Sequence, residues 1–137
     1  MFLLDTNVVY ELRKADKADT NVRHWAERQS PAALYLSAIS VLELDIGVLL
    51  AERRDRAQGK ILRAWMETRV LPAFEDRILP IDTAVARRCA LFHVPDPHAD
   101  RDALIAATAL VHGLTVVTRN TSDFRRTGAK LIDPWES

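Results

Sequence analysis

The chain has 137 residues, of which 48% are hydrophobic and 28% charged, with four glycines and six prolines. That profile fits one domain over residues 1–137 with its own core, and it excludes a disordered, fibrous or disulfide-stapled chain. Nineteen basic residues balance nineteen acidic ones, so no uniformly basic nucleic-acid-binding surface is expected, and only local patches at Arg53-Arg54, Arg87-Arg88 and Arg125-Arg126 could serve as one.

Short apolar runs alternate with long helical patterns, which predicts an α/β fold with a mostly parallel sheet. Phe2-Leu3-Leu4 is a first strand that runs into Asp5-Thr6-Asn7, three residues that start helices well. The opening Met1 to Asp5 has no basic segment and too short an apolar run for a secretion signal. A helical pattern spans about Asn21 to Arg28, and Ala33-Leu34-Tyr35-Leu36 is the second strand. Ser37 opens a helix whose apolar stripe is Ile39, Leu42, Ile46, Leu49 and Leu50. After a charged break from Glu52 to Arg56, another helix carries Ile61, Leu62, Trp65 and Met66 and closes at Pro72.

Arg77 to Ile81 is the third strand. Asp82 or Thr83 caps a helix through Val85, Cys89 and Phe92. Cys89 is the only cysteine and reads as a core thiol in a reducing, cytoplasmic compartment. Val94 to His98 is a loop, and the helix after it runs from Asp100 to His112 and stops at Gly113, where a left-handed cap is wanted. Leu114 to Thr118 is the fourth strand, Arg119 to Thr127 a polar loop, and Lys130-Leu131-Ile132 the last strand before Asp133-Pro134-Trp135. No apolar stretch approaches the ~18 residues of a membrane span.

Several carboxylates sit where chemistry is expected. Asp5 follows directly on a strand, and parallel sheets collect ligands at the carboxyl ends of their strands. An N-cap for the next helix is its simpler role. Glu43 interrupts the apolar stripe of its helix, with Ile39 at i−4, Ile46 at i+3 and Leu50 at i+7. A buried carboxylate must be paired, protonated or metal-bound. Ser40-Val41-Leu42-Glu43 also has capping-box spacing, which holds only if the helix begins there rather than at Ser37. Asp102 shares a face with Ile105, Ala106 and Ala109. Asp100 is the better N-cap, which leaves Asp102 as dipole support for the first turn or as a functional group. Asp123 follows the fourth strand, in a segment that also suits a turn.

Convergence of such carboxylates favours hard divalent cations, which take oxygen ligands, keep several waters and bind substrate phosphates. A pocket of this kind activates water against a phosphodiester. Crowded carboxylates cannot all stay ionised, so at least one should hold its proton more tightly than usual. Competing chemistries lack their residues. Gly47, Gly59, Gly113 and Gly128 are too scattered for a phosphate loop. No His/Cys spacing suits zinc, and no nucleophile elbow is present. A phosphatase of the haloacid-dehalogenase type needs a second aspartate two residues after the first, where this chain has Asn7.

Four segments occur in order: Leu3-Leu4-Asp5-Thr6-Asn7; Ser37 to Leu44 followed by Gly47; Asp102-Ala103-Leu104-Ile105-Ala106-Ala107-Thr108-Ala109; and Thr118-Arg119-Asn120 with Asp123-Phe124. Together they resemble the PIN-domain family, and within it the VapC-type toxins of bacterial toxin–antitoxin pairs. The terminal Asp133-Pro134-Trp135 is similar to the ending of the FitB-like branch.

The resemblance implies a three-layer α/β/α domain and an endoribonuclease dependent on Mg²⁺ or Mn²⁺. It also implies a homodimer held inactive by a small DNA-binding antitoxin of the VapB type that blocks the acidic pocket. Asp5, Glu43 and Asp102 would form the acidic core, with Asp5 and Asp102 on the metal and Glu43 on the metal or its waters. The fourth corner falls to Asp123 or to Asn120, because family members differ in which of the two positions carries the acid. Thr6, Asn7, Thr118 and Asn120 would support the carboxylates, and Arg119 would contact the RNA backbone. An exposed apolar patch would mark the partner's footprint, with Trp25, Trp65 and Trp135 as candidate anchors. The residues alone also allow a catalytically silent member of the fold that binds RNA or a partner through the same pocket.

Overall fold

The computed structural model describes residues 1–136. Its sheet is built from β1 (Phe2–Leu4), β2 (Leu34–Ser37), β3 (Ile78–Leu79), β4 (Thr115–Val117) and β5 (Leu131–Ile132). The spatial order is β3-β2-β1-β4-β5, and every neighbouring pair is parallel. The helices are α1 (Thr6–Arg13), α2 (Thr20–Glu27), α3 (Ala38–Arg54), α4 (Arg56–Trp65), α5 (Leu71–Ala73), α6 (Thr83–Ala90), α7 (Asp100–His112) and α8 (Thr121–Phe124).

Successive strand residues point to opposite faces, and the core divides accordingly. Leu4 and Val117 join Val8 of α1, Trp25 of α2, and Leu44 and Val48 of α3. Leu3 and Val116 join Ile105, Ala106 and Ala109 of α7 and Phe124 of α8. Helices therefore cover both faces, the three-layer α/β/α arrangement. The chain leaves β1 for β2 and β3 on one side, then crosses back to β4 and β5 on the other. The strand order thus reverses beside β1. In open parallel sheets that reversal opens a crevice at the carboxyl ends of the strands.

Several expected details are corrected. The buried face of α3 is Ile39, Ser40, Leu44, Val48 and Ala51, whereas Leu42, Leu49 and Leu50 of the expected stripe are 46%, 57% and 58% exposed. Apolar residues encircle most of this helix, so periodicity does not select a face, and packing against the sheet core does. Ser37 caps α3, its hydroxyl accepting from the Ile39 amide at 3.0 Å, so the capping box at Ser40 does not form. The α4 pattern does not run unbroken to Pro72. A π-type turn over Met66–Val70 shifts the register, with the Leu71 amide donating to Met66 O, and Pro72 then sits in the first turn of α5, where it needs no N–H.

Ala99, not Asp100, is the N-cap of α7, and the Asp100 carboxylate lies instead 3.6 Å from His93 Nε2. Gly113 closes α7 at φ 68° as expected. Helix α6 ends at Ala90, which leaves Phe92 in a 3₁₀ turn. The segment expected as a loop after Thr118 holds α8 and a 3₁₀ turn, because Phe124 plugs fully into the core. Trp25 is buried, and Trp65 and Trp135 pack partly buried against the same core, so the tryptophans do not form exposed anchors. Cys89 is buried, and burial raises its thiol pKa. Among the described residues no helix is long and apolar enough to cross a membrane.

Candidate active site

The crevice at the strand reversal is where Asp5 emerges from β1 and Thr118 from β4. Asp5 is an N-cap, Oδ1 accepting from the Thr6 amide at 2.8 Å. Its second oxygen is held from across the sheet. Oδ2 accepts from the Thr118 hydroxyl at 2.8 Å and from Asn7 Nδ2 at 3.4 Å. Thr118 Oγ1 in turn accepts from the Asn120 amide at 3.0 Å, and Asn7 Oδ1 accepts from the Arg119 amide at 3.4 Å. Thr6, Asn7, Thr118 and Asn120 thus form a polar frame around Asp5.

Glu43 enters from the second turn of α3. The Thr6 hydroxyl donates to its Oε1 at 2.7 Å, which ties α3 to the Asp5 turn. Its other oxygen lies 3.7 Å from Arg101 Nη1, and the side chain is 25% exposed. Glu43 is therefore a rim carboxylate oriented by Thr6 rather than one buried in an apolar stripe. Asp102 follows Arg101 in the first turn of α7, half-buried. Among the described residues Asp102 has no side-chain hydrogen bond and no ion pair.

The charges of these groups reach one another. Burial pushes the Asp5 carboxyl up to about 6; the Thr118 and Thr6 hydrogen bonds pull against that, and the charges of Asp102 and Glu43 add to it. Asp102 is also raised, first by burial and then by Asp123 and Glu43, with His98 opposing. Coulombic influence fades with distance, so these overlapping effects, with Glu43 acting on both Asp5 and Asp102, mark one cluster. Asp123 joins it through Asp102. Asn120 caps α8 without a side-chain hydrogen bond and contributes through its backbone. Arg119 lies outside the cluster, its guanidinium 5.1 Å over the Trp135 ring. Of the three arginine pairs, Arg125-Arg126 shares a cleft with Asp102 and Asp123.

Two neighbours of the cluster, Arg101 and His98, carry no helix-face or strand-end signal in the sequence. Arg101 has only its place beside Asp102 to suggest it. His98 lies in a loop whose path is set by distant residues.

The donor set is all carboxylate oxygen, and Arg101 is its only ion-pair partner among the described residues. That chemistry fits a hard divalent cation, which would offset the burial of Asp5 and Asp102 and the carboxylate repulsion that adds to it. Among the described residues no three His, Cys, Asp or Glu side chains already enclose an ion position. Mg²⁺ keeps several of its waters, so an ion here would be held by few direct carboxylate ligands and otherwise through water.

The chain matches the PIN domain over residues 2–130. It belongs to the PIN-domain family. This PIN chain is 40% identical over 141 residues to VapC ribonuclease Y4jK of Sinorhizobium fredii, with 99% of each chain covered. It is 38% identical over 141 residues to Toxin FitB of Neisseria gonorrhoeae, with 98% of this chain and 99% of the relative covered. The crystal structure of FitAcB from the same species superposes with a TM-score of 0.91 at 36% identity, covering 100% of both chains. The resemblance to VapC-type and FitB-like PIN proteins read from the four motifs is borne out.

Proposed function

We propose that this PIN chain is the toxin of a type II toxin–antitoxin pair, a Mg²⁺- or Mn²⁺-dependent endoribonuclease that hydrolyses RNA phosphodiesters at Asp5, Glu43, Asp102 and Asp123. The observation that carries the reading is Asp5, a buried carboxyl whose charged neighbours are other carboxylates. Relatives of full length named as a ribonuclease and as a toxin support the class.

In this reading Asp5 and Asp102 hold the ion, and Glu43 and Asp123 hold it or its waters. When bound, such an ion supplies charge neutralisation at the phosphate and lowers the pKa of an attacking water. The chain's own polar residues prepare the carboxylates. Thr118 lowers the pKa of Asp5 and so favours the ionised form that can bind a cation. Thr6 orients Glu43. Arg101 offsets the charge of Glu43 when no ion is present.

Thr118→Val keeps the shape of the side chain and removes its hydroxyl. Asp5 should then hold its proton more tightly, and cleavage near neutral pH should fall about 10- to 100-fold, with partial recovery at higher pH or higher ion concentration. Initial rates over a pH series check this. An unchanged profile would remove Thr118 from the site.

The partner in this reading is a VapB-type antitoxin that blocks the acidic pocket, acting on a homodimeric toxin in the cytoplasm. Unpaired carboxylates suit a basic partner side chain. Leu42, Leu49 and Leu50 of α3, together with Ile61 of α4, supply exposed apolar surface for protein contacts.

The direct test incubates the purified chain with single-stranded RNA and Mg²⁺ or Mn²⁺, with and without chelator, alongside expression of the chain alone in cells. Cleavage abolished by chelation, with growth arrest that requires Asp5, is the expected result. Cleavage that survives chelation would overturn the metal dependence. A well-folded chain that cuts no RNA with either ion would overturn the enzymatic reading.

A further inference from the structure

Beside the carboxylate cluster a cleft of about 330 Å³ has His98, Asp102, Asp123, Arg125 and Arg126 in its lining. It therefore shares two carboxylates with the cluster and adds two arginines. Arg126 builds the wall. Its Nη2 donates to Phe92 O at 3.3 Å and to Asp96 O and Pro97 O at 3.0 Å, pinning the loop that leads into His98. The His98 amide donates to His93 Nδ1 at 3.1 Å, a second tie on the same loop. The wall is thus preformed, which lowers the ordering cost of binding.

Carbonyl partners occupy Arg126 Nη2 and leave its charge uncancelled. Among the described residues the Arg125 side chain has no hydrogen bond and no ion pair, its backbone carbonyl alone accepting from the Gly128 amide. Ala99, also in the lining, caps α7 without a side chain, so the first-turn amides of that 13-residue helix lack a side-chain cap as well. Asp102 and Asp123 balance the two arginines in number, but among the described residues neither arginine is ion-paired, so both guanidinium groups can turn to a polyanion whose scissile phosphate lies at the cluster. A strand whose scissile phosphate lies at the cluster must place a neighbouring nucleotide close by.

We propose that this cleft is a nucleotide subsite, in which Arg125 holds the phosphate flanking the scissile one and the His98 ring is the platform for its base. The inference rests on the RNA-cleaving reading above and names how that site grips its substrate.

The test measures binding of a short fluorescent single-stranded RNA by anisotropy over a salt series, in Asp5→Asn protein to prevent cleavage. Adding Arg125→Ala should weaken binding about two- to fivefold and reduce the slope of log K against log salt by about 0.7, the loss of one phosphate contact on a single strand. Arg125→Lys should restore the slope. Adding His98→Ala should weaken binding with the slope unchanged. Unchanged affinity and slope on Arg125→Ala would overturn the proposal, as would failure of the Asp5→Asn protein to bind RNA. Binding needs no turnover, so the two readings fail separately. An Arg125-dependent slope in a chain that never cleaves would sink the nuclease and keep the cleft. Normal cleavage with an unaltered slope would sink the cleft alone.

Discussion

Asp5→Asn should abolish divalent-dependent RNA cleavage and, at neutral pH without metal, make the protein more stable. Asparagine is as good an N-cap as aspartate, so the start of α1 survives. Its side-chain oxygen can still accept from the Thr6 amide, and the Thr118 hydroxyl can turn to meet the new amide. The charge that would hold the ion is lost, together with the long 3.4 Å hydrogen bond from Asn7 Nδ2. Removing one preorganised electrostatic group from an active site costs about 10²- to 10³-fold in rate, and a direct ion ligand at least that much.

The stability gain follows from the sign of the Asp5 shift. Its carboxyl titrates at about 6 in the fold against an ordinary 3.8. A group raised in this way stabilises the fold most when protonated, below its unfolded pKa, and that contribution is lost as pH rises through about 6. At pH 7 the ionised Asp5 therefore costs up to about 3 kcal/mol, which a neutral amide avoids. In chelator the wild type should lose stability between about pH 4 and about pH 6, and the variant should lose less. Added Mg²⁺ or Mn²⁺ should raise the wild-type melting temperature and leave that of the variant nearly unchanged. Thermal melts with and without ion check both statements. Full cleavage by a folded Asp5→Asn protein would remove Asp5 from the chemistry.

Gly59→Ala should destabilise the protein by about 2 kcal/mol, against the usual sign for this exchange in a helix. In an open helix alanine gains about 1 kcal/mol over glycine. Gly59 is buried, however, and a Cβ there would overlap the Glu52 Cα and N, which are backbone atoms of α3. Backbone cannot swing aside, so α3 and α4 would have to part. The Arg63 bridges to Glu52 at 3.1 Å and Asp45 at 3.3 Å would loosen with them. Overpacking of this kind costs about 1–3 kcal/mol or more, which outweighs the propensity gain. The melting temperature should fall by roughly 4 °C per kcal/mol in a chain of this size. Gly47→Ala is the control, because the atom it meets is the Tyr10 hydroxyl, the end of a side chain that can shift. A melting temperature for Gly59→Ala equal to or above wild type would contradict the close approach.

How far the site was legible differs from residue to residue. Asp5 and Thr118 stand at strand ends, and period and turn chemistry locate those from a few neighbouring residues. The apolar stripe that marks Glu43 in the sequence is only partly a buried face. Leu50, one of its supposed stripe neighbours, is exposed, and Glu43 joins the cluster through Thr6. Asp102 keeps the first-turn position that allowed dipole support, and it also lies within reach of Glu43 and Asp123. The fourth corner could not be divided between Asn120 and Asp123 by spacing. The fold shows the charge of Asp123 acting on Asp102, while Asn120 braces Thr118 through its amide.

By itself the sequence determined what is local. The turn at Asp5, the stop at Gly113 and the parallel α/β alternation are each written in a few adjacent residues, and the four ordered motifs placed the chain among PIN domains. Tertiary structure alone decided which face of α3 is buried, that Phe124 fills the core, and that His98, Arg125 and Arg126 line a cleft beside the carboxylates. The physical reason is the position of β1. It lies between β2, the next strand in the chain, and β4, which is three strands on, and that order brings residues 5, 43, 102 and 123 close enough for their charges to interact.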